Sequence, residues 1–174
     1  MRPGDRLPPL EIPITRTLIV AGAIASRDYQ DVHHDPELAR QRGAPDIFMN
    51  ILTTNGLVGR YITDCFGEGA VLRRVAIRLG APNYPGDTMV LRGTVSAVDG
   101  DTAEVRVVGA NGLGDHVTGA VTVTAPGLAA APVPDDPAFP VPAHDSAQAS
   151  AHGSVPTSVH DSAGPGGTPG GGAP

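Results

Sequence analysis

An α+β domain in which a curved antiparallel sheet wraps one long helix is predicted for residues 1–124, and three features of the sequence predict it. Apolar residues recur at helical spacing over 46–66. Downstream, segments of alternating or β-branched character are punctuated by turn sequences. Near Ala125 the composition changes to Pro, Ala, Gly and Ser, which ends the domain. A helix followed by an antiparallel meander places the chain in the α+β class.

The lead-in, residues 1–13, carries Pro3, Pro8, Pro9 and Pro13 and shows neither helical nor strand periodicity. Arg16-Thr17-Leu18-Ile19-Val20 has the character of a first strand, and 21–26 is expected to form a short helical turn leading to Asp28. Asp35 followed by Pro36 is an N-cap pattern for a helical turn through Arg40, with Gly43 as its stop. In the long helix Ile47, Ile51, Val58, Ile62 and Phe66 form the stripe, widened by Phe48, Leu52 and Cys65. Such a helix is about 30 Å long, and Pro45 and Asp46 suit its first turn. Asn55, Gly56 and Gly59 interrupt the stripe: small residues there fit close packing, and also leave room for a bulky group bound along the helix. Gly67-Glu68-Gly69 is a turn, and Val71–Leu79 alternates as a half-buried strand. Strands over 88–98, 103–109 and 116–124 are separated by Asp99-Gly100-Asp101 and Asn111-Gly112-Leu113-Gly114-Asp115. No internal repeat and no glycine-rich phosphate loop is visible.

All 12 basic residues are arginines and all lie before residue 107, while the net charge of −6 includes Asp135, Asp136, Asp145 and Asp161 of the tail. The domain itself is only mildly acidic, which disfavours nucleic acid as a partner. Residues 125–174 offer too little apolar surface to offset their ordering entropy and are expected to be disordered, with His144, His152 and His160 inert. Cys65 is the single cysteine, so no intrachain disulfide and no Cys-rich metal site exists. The apolar run 18–25 is far too short to span a bilayer, and the N-terminus has no apolar core of signal-peptide length. A soluble, cytoplasmic protein is expected.

The chemistry concentrates in Ser26-Arg27-Asp28-Tyr29-Gln30-Asp31-Val32-His33-His34-Asp35-Pro36, a run too dense in ionisable groups for a simple connector. Asp28 and His33 are the candidate catalytic residues, since a carboxylate and an imidazole on one short loop can share a water molecule. Backbone amides around Met49 and Asn50, near the positive end of the helix, are the candidate donors to negative charge on a substrate oxygen. An isolated Asp-x-x-x-x-His spacing is common by chance and ordinarily marks a capped loop with a solvated histidine. His34 reads as a surface or packing residue, Asp31 as a charged loop residue facing water or else a second carboxylate of the site, Gln30 as structural, and His116 as a pairing or rim residue at the start of the last strand. A His33-His34-Asp35 metal site lacks a second ligand cluster, where zinc needs three protein ligands, so no metal is assigned.

Asp28-x-x-x-x-His33, then Asp35-Pro36-Glu37-Leu38-Ala39, a buried helix, and Pro82-x-x-Pro85-Gly86-Asp87 leading into strands resembles the MaoC-like hot-dog hydratases, which add water to trans-2-enoyl-CoA thioesters. Arg27-Asp28-Tyr29-Gln30-Asp31-Val32-His33-His34-Asp35 with Asp46-Ile47-Phe48-Met49-Asn50-Ile51-Leu52 is similar to the small catalytic subunit of actinobacterial steroid side-chain enoyl-CoA hydratases. The resemblance covers about residues 10–124. It departs from the broad family at Gln30 and Asp31, where Asn and Pro are common. It implies a hot-dog fold, hydration of the α,β double bond of a steroid 17(20)-enoyl-CoA, Asp28 and His33 as the acid–base pair, and no metal or redox cofactor, CoA being part of the substrate. It also implies a second, different hot-dog subunit in an α2β2 heterotetramer. One of Arg73, Arg74 and Arg78 would then meet a CoA phosphate, if they are not simply a solvated strand face. Two alternatives stand beside this reading: a thioesterase on the same fold, and a non-catalytic acyl-CoA-binding subunit, against which the presence of both Asp28 and His33 argues. Spacing alone does not say which of the pair is acid and which is base.

Overall fold

The computed structural model describes residues 1–128; of the segment predicted to be disordered, 125–174, residues 129–174 with their three histidines lie outside the described residues. The chain runs β1 (Arg6–Pro13), α1 (Arg16–Ala25), a 3₁₀ turn (Asp31–His33), α2 (Pro36–Gln41), α3 (Ile51–Phe66), β2 (Val71–Leu79), β3 (Thr88–Asp99), β4 (Thr102–Asn111) and β5 (Gly114–Thr124). One antiparallel five-stranded sheet results, in the order β1-β3-β4-β5-β2. All four strand pairings carry a register shift, between Leu7 and Leu10, Leu72 and Arg74, Val95 and Ala97, and Gly109 and Ala110. Such bulges bend strands and increase twist, which lets the sheet curl around α3.

The proline-rich lead-in is an edge strand, paired from Arg6↔Thr94 to Pro13↔Thr88. Its prolines are tolerated because Pro8 and Pro9 sit in the bulge and the strand has a neighbour on one side only. The strand predicted at 16–20 is instead the first half of α1. Thr15 caps it, its hydroxyl oxygen accepting from the Leu18 amide at 3.0 Å, and Ile19 and Ala23 bury one stripe four residues apart. This tertiary burial overrides the β-branched composition.

The long helix also starts later than predicted: 45–49 is a non-helical lead-in, Asn50 is the N-cap, and the first helical residue is Ile51. Its buried face is Thr54, Val58, Gly59, Tyr61 and Ile62, packed with Val95, Val105, Val107 and Val121 of the sheet. Ile51 and Leu52, predicted core positions, are half exposed at the start of the helix. Gly59 does serve close packing, a Cβ there lying 3.2 Å from Leu72, whereas Gly56 faces open space. Packing continues four residues past the predicted boundary at Thr124: Ala125 and Leu128 are buried, and the Met1 ammonium donates to the Leu128 carbonyl at 2.6 Å.

Candidate active site

Asp28 is placed by the way α1 ends. The amides of Arg27 and Asp28 turn back to the carbonyls of Ile24 and Ala23, at 3.0 and 2.9 Å, with Arg27 in the left-handed region at φ 56°. This is a Schellman closure in which the position usually given to glycine is filled by arginine. The carboxylate that follows the turn points at α3 rather than into solvent, and its side chain is 19% exposed.

His33 is placed from the other side. The chain 47–49 threads between the 3₁₀ turn and the loop before β3, with the Phe48 amide on the Val32 carbonyl and the Met49 amide on the Asn83 carbonyl, both at 3.1 Å. The Phe48 carbonyl is thereby aimed at His33 Nδ1, 2.7 Å away. A carbonyl only accepts, so Nδ1 carries the hydrogen and Nε2 is left facing Asp28 Oδ2 at 3.3 Å. The ring is buried and edge-on to Phe48, which in turn meets Tyr84 edge-on. Nε2 of the neutral imidazole is an acceptor beside a second acceptor, and a single water can donate one hydrogen to each. Once protonated, the same nitrogen donates to the carboxylate.

Asn50 joins the two halves. Its Oδ1 accepts from the Thr53 amide at 2.9 Å, while Nδ2 reaches Asp28 Oδ2 at 3.0 Å and Ser26 Oγ at 2.9 Å. This amide is the main influence holding the Asp28 carboxyl below its ordinary range, against the opposing effect of burial and with help from the Gln30 amide and His33. The helix start is pinned from below: His116 Nδ1 donates to the Ala81 carbonyl at 2.7 Å, and Nε2 accepts from the Thr54 hydroxyl at 2.8 Å. His116 is therefore a buried, hydrogen-bonded strand residue, the pairing alternative and not the rim one.

Met49 and Asn50, the candidate donors, immediately precede Ile51, the first residue of α3. The Met49 amide is consumed by Asn83, and Asn50 contributes its side chain. With the Thr53 amide on the Asn50 side chain and the Thr54 amide on its carbonyl, the outward donors of the helix terminus are Ile51 and Leu52. Asp31 pairs with Arg42 at 2.7 Å, and His34 is exposed, its Nε2 on the Tyr29 carbonyl at 3.2 Å. Sequence reading missed the roles of Ser26, the Phe48 carbonyl, Thr54 and His116. An Asn-x-x-Thr cap pattern at Asn50 was the available signal for the true helix start. Among the described residues no cluster of His, Cys, Asp and Glu could hold a metal ion.

A carboxylate and an imidazole thus face each other over the N-terminus of the helix that the five-stranded sheet wraps. The MaoC like domain matches residues 2–116, and the chain belongs to that family. It is 48% identical over 121 residues to the 3-oxo-4,17-pregnadiene-20-carboxyl-CoA hydratase beta subunit of Mycobacterium tuberculosis, which covers 70% of this chain and 94% of the relative. Among solved structures, the ChsH1–ChsH2 complex from M. tuberculosis matches with a TM-score of 0.69 and 47% identity, covering 71% of this chain and 97% of that one. The (R)-hydratase from A. caviae involved in PHA biosynthesis, 20% identical with a TM-score of 0.67 over 72% of this chain and 98% of its own, shares the fold.

Proposed function

We propose that the chain is the acid–base subunit of an enoyl-CoA hydratase acting on a steroid side-chain thioester in sterol degradation. The observation that carries the reading is the facing of His33 Nε2 and Asp28 Oδ2 at 3.3 Å, with the opposite ring nitrogen committed to a carbonyl. Both facing atoms accept, so they hold one water by its hydrogens and leave an oxygen lone pair for attack. The water oxygen bonds to Cβ and loses one proton to the pair. The double-bond electrons move toward the thioester oxygen, and the α carbon then takes a proton, so that water is added overall. Donors at the start of α3, the Ile51 and Leu52 amides, are the groups suited to the developing enolate. Hydration is redox-neutral, and the reading assigns no metal or cofactor beyond the CoA of the substrate.

The steroid assignment follows from the relative, a 3-oxo-4,17-pregnadiene-20-carboxyl-CoA hydratase subunit. Ile24, Tyr29, Ile51 and Leu52, all exposed and all on segments flanking the pair, supply apolar surface for a fused-ring group and for a second hot-dog subunit. We assign that subunit as a different chain in an α2β2 assembly, as the solved ChsH1–ChsH2 complex is a complex of two proteins. A CoA substrate and a single free thiol fit a cytoplasmic setting, and no helix among the described residues is long and apolar enough to cross a membrane. Incubation with the steroid enoyl-CoA tests the reading: loss of the conjugated thioester absorbance with a product heavier by one water is expected, whereas release of free CoA with the double bond intact would identify a thioesterase.

A further inference from the structure

Asn50 is 2% exposed and its amide is fixed in one orientation. Oδ1 must face the Thr53 amide, because a flip would set Nδ2 against that N–H and Oδ1 against the Asp28 carboxylate. The two Nδ2 hydrogens then have two acceptors. One is Asp28 Oδ2, and the other is Ser26 Oγ, whose own hydrogen goes to the Gly22 carbonyl at 2.7 Å. A helix cap needs only the oxygen, which Ser or Asp supplies as well as Asn. The NH₂ group is surplus to the cap.

We propose that Asn50 is a positioning residue for the hydration reaction, its side-chain amide clamping the Asp28 carboxylate opposite His33 while the same side chain starts α3. The clamp deepens the functional reading above and rests on it for its catalytic consequence. Its chemical advantage is neutrality. His33, from the 3₁₀ turn, is the titratable side chain in contact with Asp28, and its pull changes whenever it gains or loses a proton. Asn50 from α3 and Ser26 from the end of α1 carry no charge, and Arg27 adjoins Asp28 only through the chain. A neutral donor therefore keeps the carboxylate placed and anionic through both proton states of the imidazole.

The test uses the full-length chain in its native assembly, with Asn50→Ser, a neutral cap without the NH₂ donor, and Asn50→Asp, a charged one. Thermal unfolding, the NMR titration of the Asp28 carboxyl, and the pH profiles of kcat and KM are measured for each. Both variants are expected to unfold within a few degrees of the wild type and to show Asp28 titrating higher, furthest in Asn50→Asp. Turnover should fall about 10- to 100-fold with KM changed less than about threefold, and the acid limb of kcat should move up with the Asp28 titration. A folded Asn50→Ser with an unmoved Asp28 titration and wild-type kcat would overturn the clamp. Should that variant fail to fold, an unmoved titration in Asn50→Asp does the same. If the wild type hydrates no enoyl-CoA, the functional reading fails, and the Asp28 titration still decides the clamp.

Discussion

Backbone groups bring Asp28 and His33 to the site, since one follows a left-handed turn and the other is held by a carbonyl, and the Asn50 side chain then holds the carboxylate. Replacing either side chain should remove chemistry with little effect on the fold. Asp28→Asn and His33→Ala are each expected to lower hydratase turnover by about 10²- to 10⁴-fold with oligomeric state unchanged. Asp28→Asn should leave thermal stability nearly unchanged, whereas His33→Ala deletes a buried ring and leaves the Phe48 carbonyl without its donor, at a cost of roughly 1–3 kcal/mol. His34→Ala, on an exposed neighbour, should be far milder. Steady-state kinetics and calorimetry on the same samples check all three. His116 gives a different expectation, because burial holds its imidazole below the ordinary value of 6.5 against the Ala81 carbonyl contact that raises it. Above 6.5 it is neutral in both folded and unfolded chains and costs nothing. As pH falls below 6.5 the unfolded chain takes up the proton first, so stability drops until the lower folded value is passed. Urea midpoints measured from pH 8 to 5 should show this slope, and it should be shallower in His116→Gln.

At the scale of elements, the contact between α1 and α3 sets the distance across which Asn50 reaches Asp28. A Cβ on Gly22 would lie 2.1 Å from Thr53 Oγ1, so Gly22→Ala forces the helices apart. A loss of roughly 1–3 kcal/mol is expected, together with reduced turnover, and Gly22→Ala/Thr53→Ala should recover part of both. Arg27→Gly removes the left-handed penalty at the end of α1 and should raise stability by roughly 0.5–1 kcal/mol in urea unfolding. The same elements show what sequence could deliver. The meander over β2–β5 was legible because alternation and turn residues act locally, and the Asp28–His33 pair because both groups fall on one loop. α1 was misread because its β-branched residues favour a strand until Ile19 and Ala23 find the core. β1 was illegible because a bulged edge strand tolerates prolines that local rules count as breakers. The stripe of α3 included Ile51 and Leu52, which periodicity cannot distinguish from core residues although they face outward here. The side chain of Asn50 could not be paired with Asp28 from sequence, because the two lie 22 positions apart and only the fold brings them together.

For the molecule as a whole, the domain ends later than its composition suggests. Truncation after Leu128 should leave the melting temperature close to that of the full chain, whereas truncation after Thr124 removes two buried side chains and should cost roughly 2–4 kcal/mol. Light scattering of the chain made alone and beside a genomic neighbour with a hot-dog fold should show an α2β2 particle only in the second case, with higher turnover. A homodimer of full activity would remove the heteromer proposal and leave the acid–base pair untouched. The central claim is that water held by Asp28 and His33 adds across a conjugated CoA thioester. Following one steroid enoyl-CoA reaction by both ultraviolet absorbance and mass spectrometry tests this most directly. The account predicts loss of the enoyl absorbance with gain of one water in the wild type and neither in Asp28→Asn, and it would be contradicted by equal hydration in both proteins or by free CoA as the wild-type product.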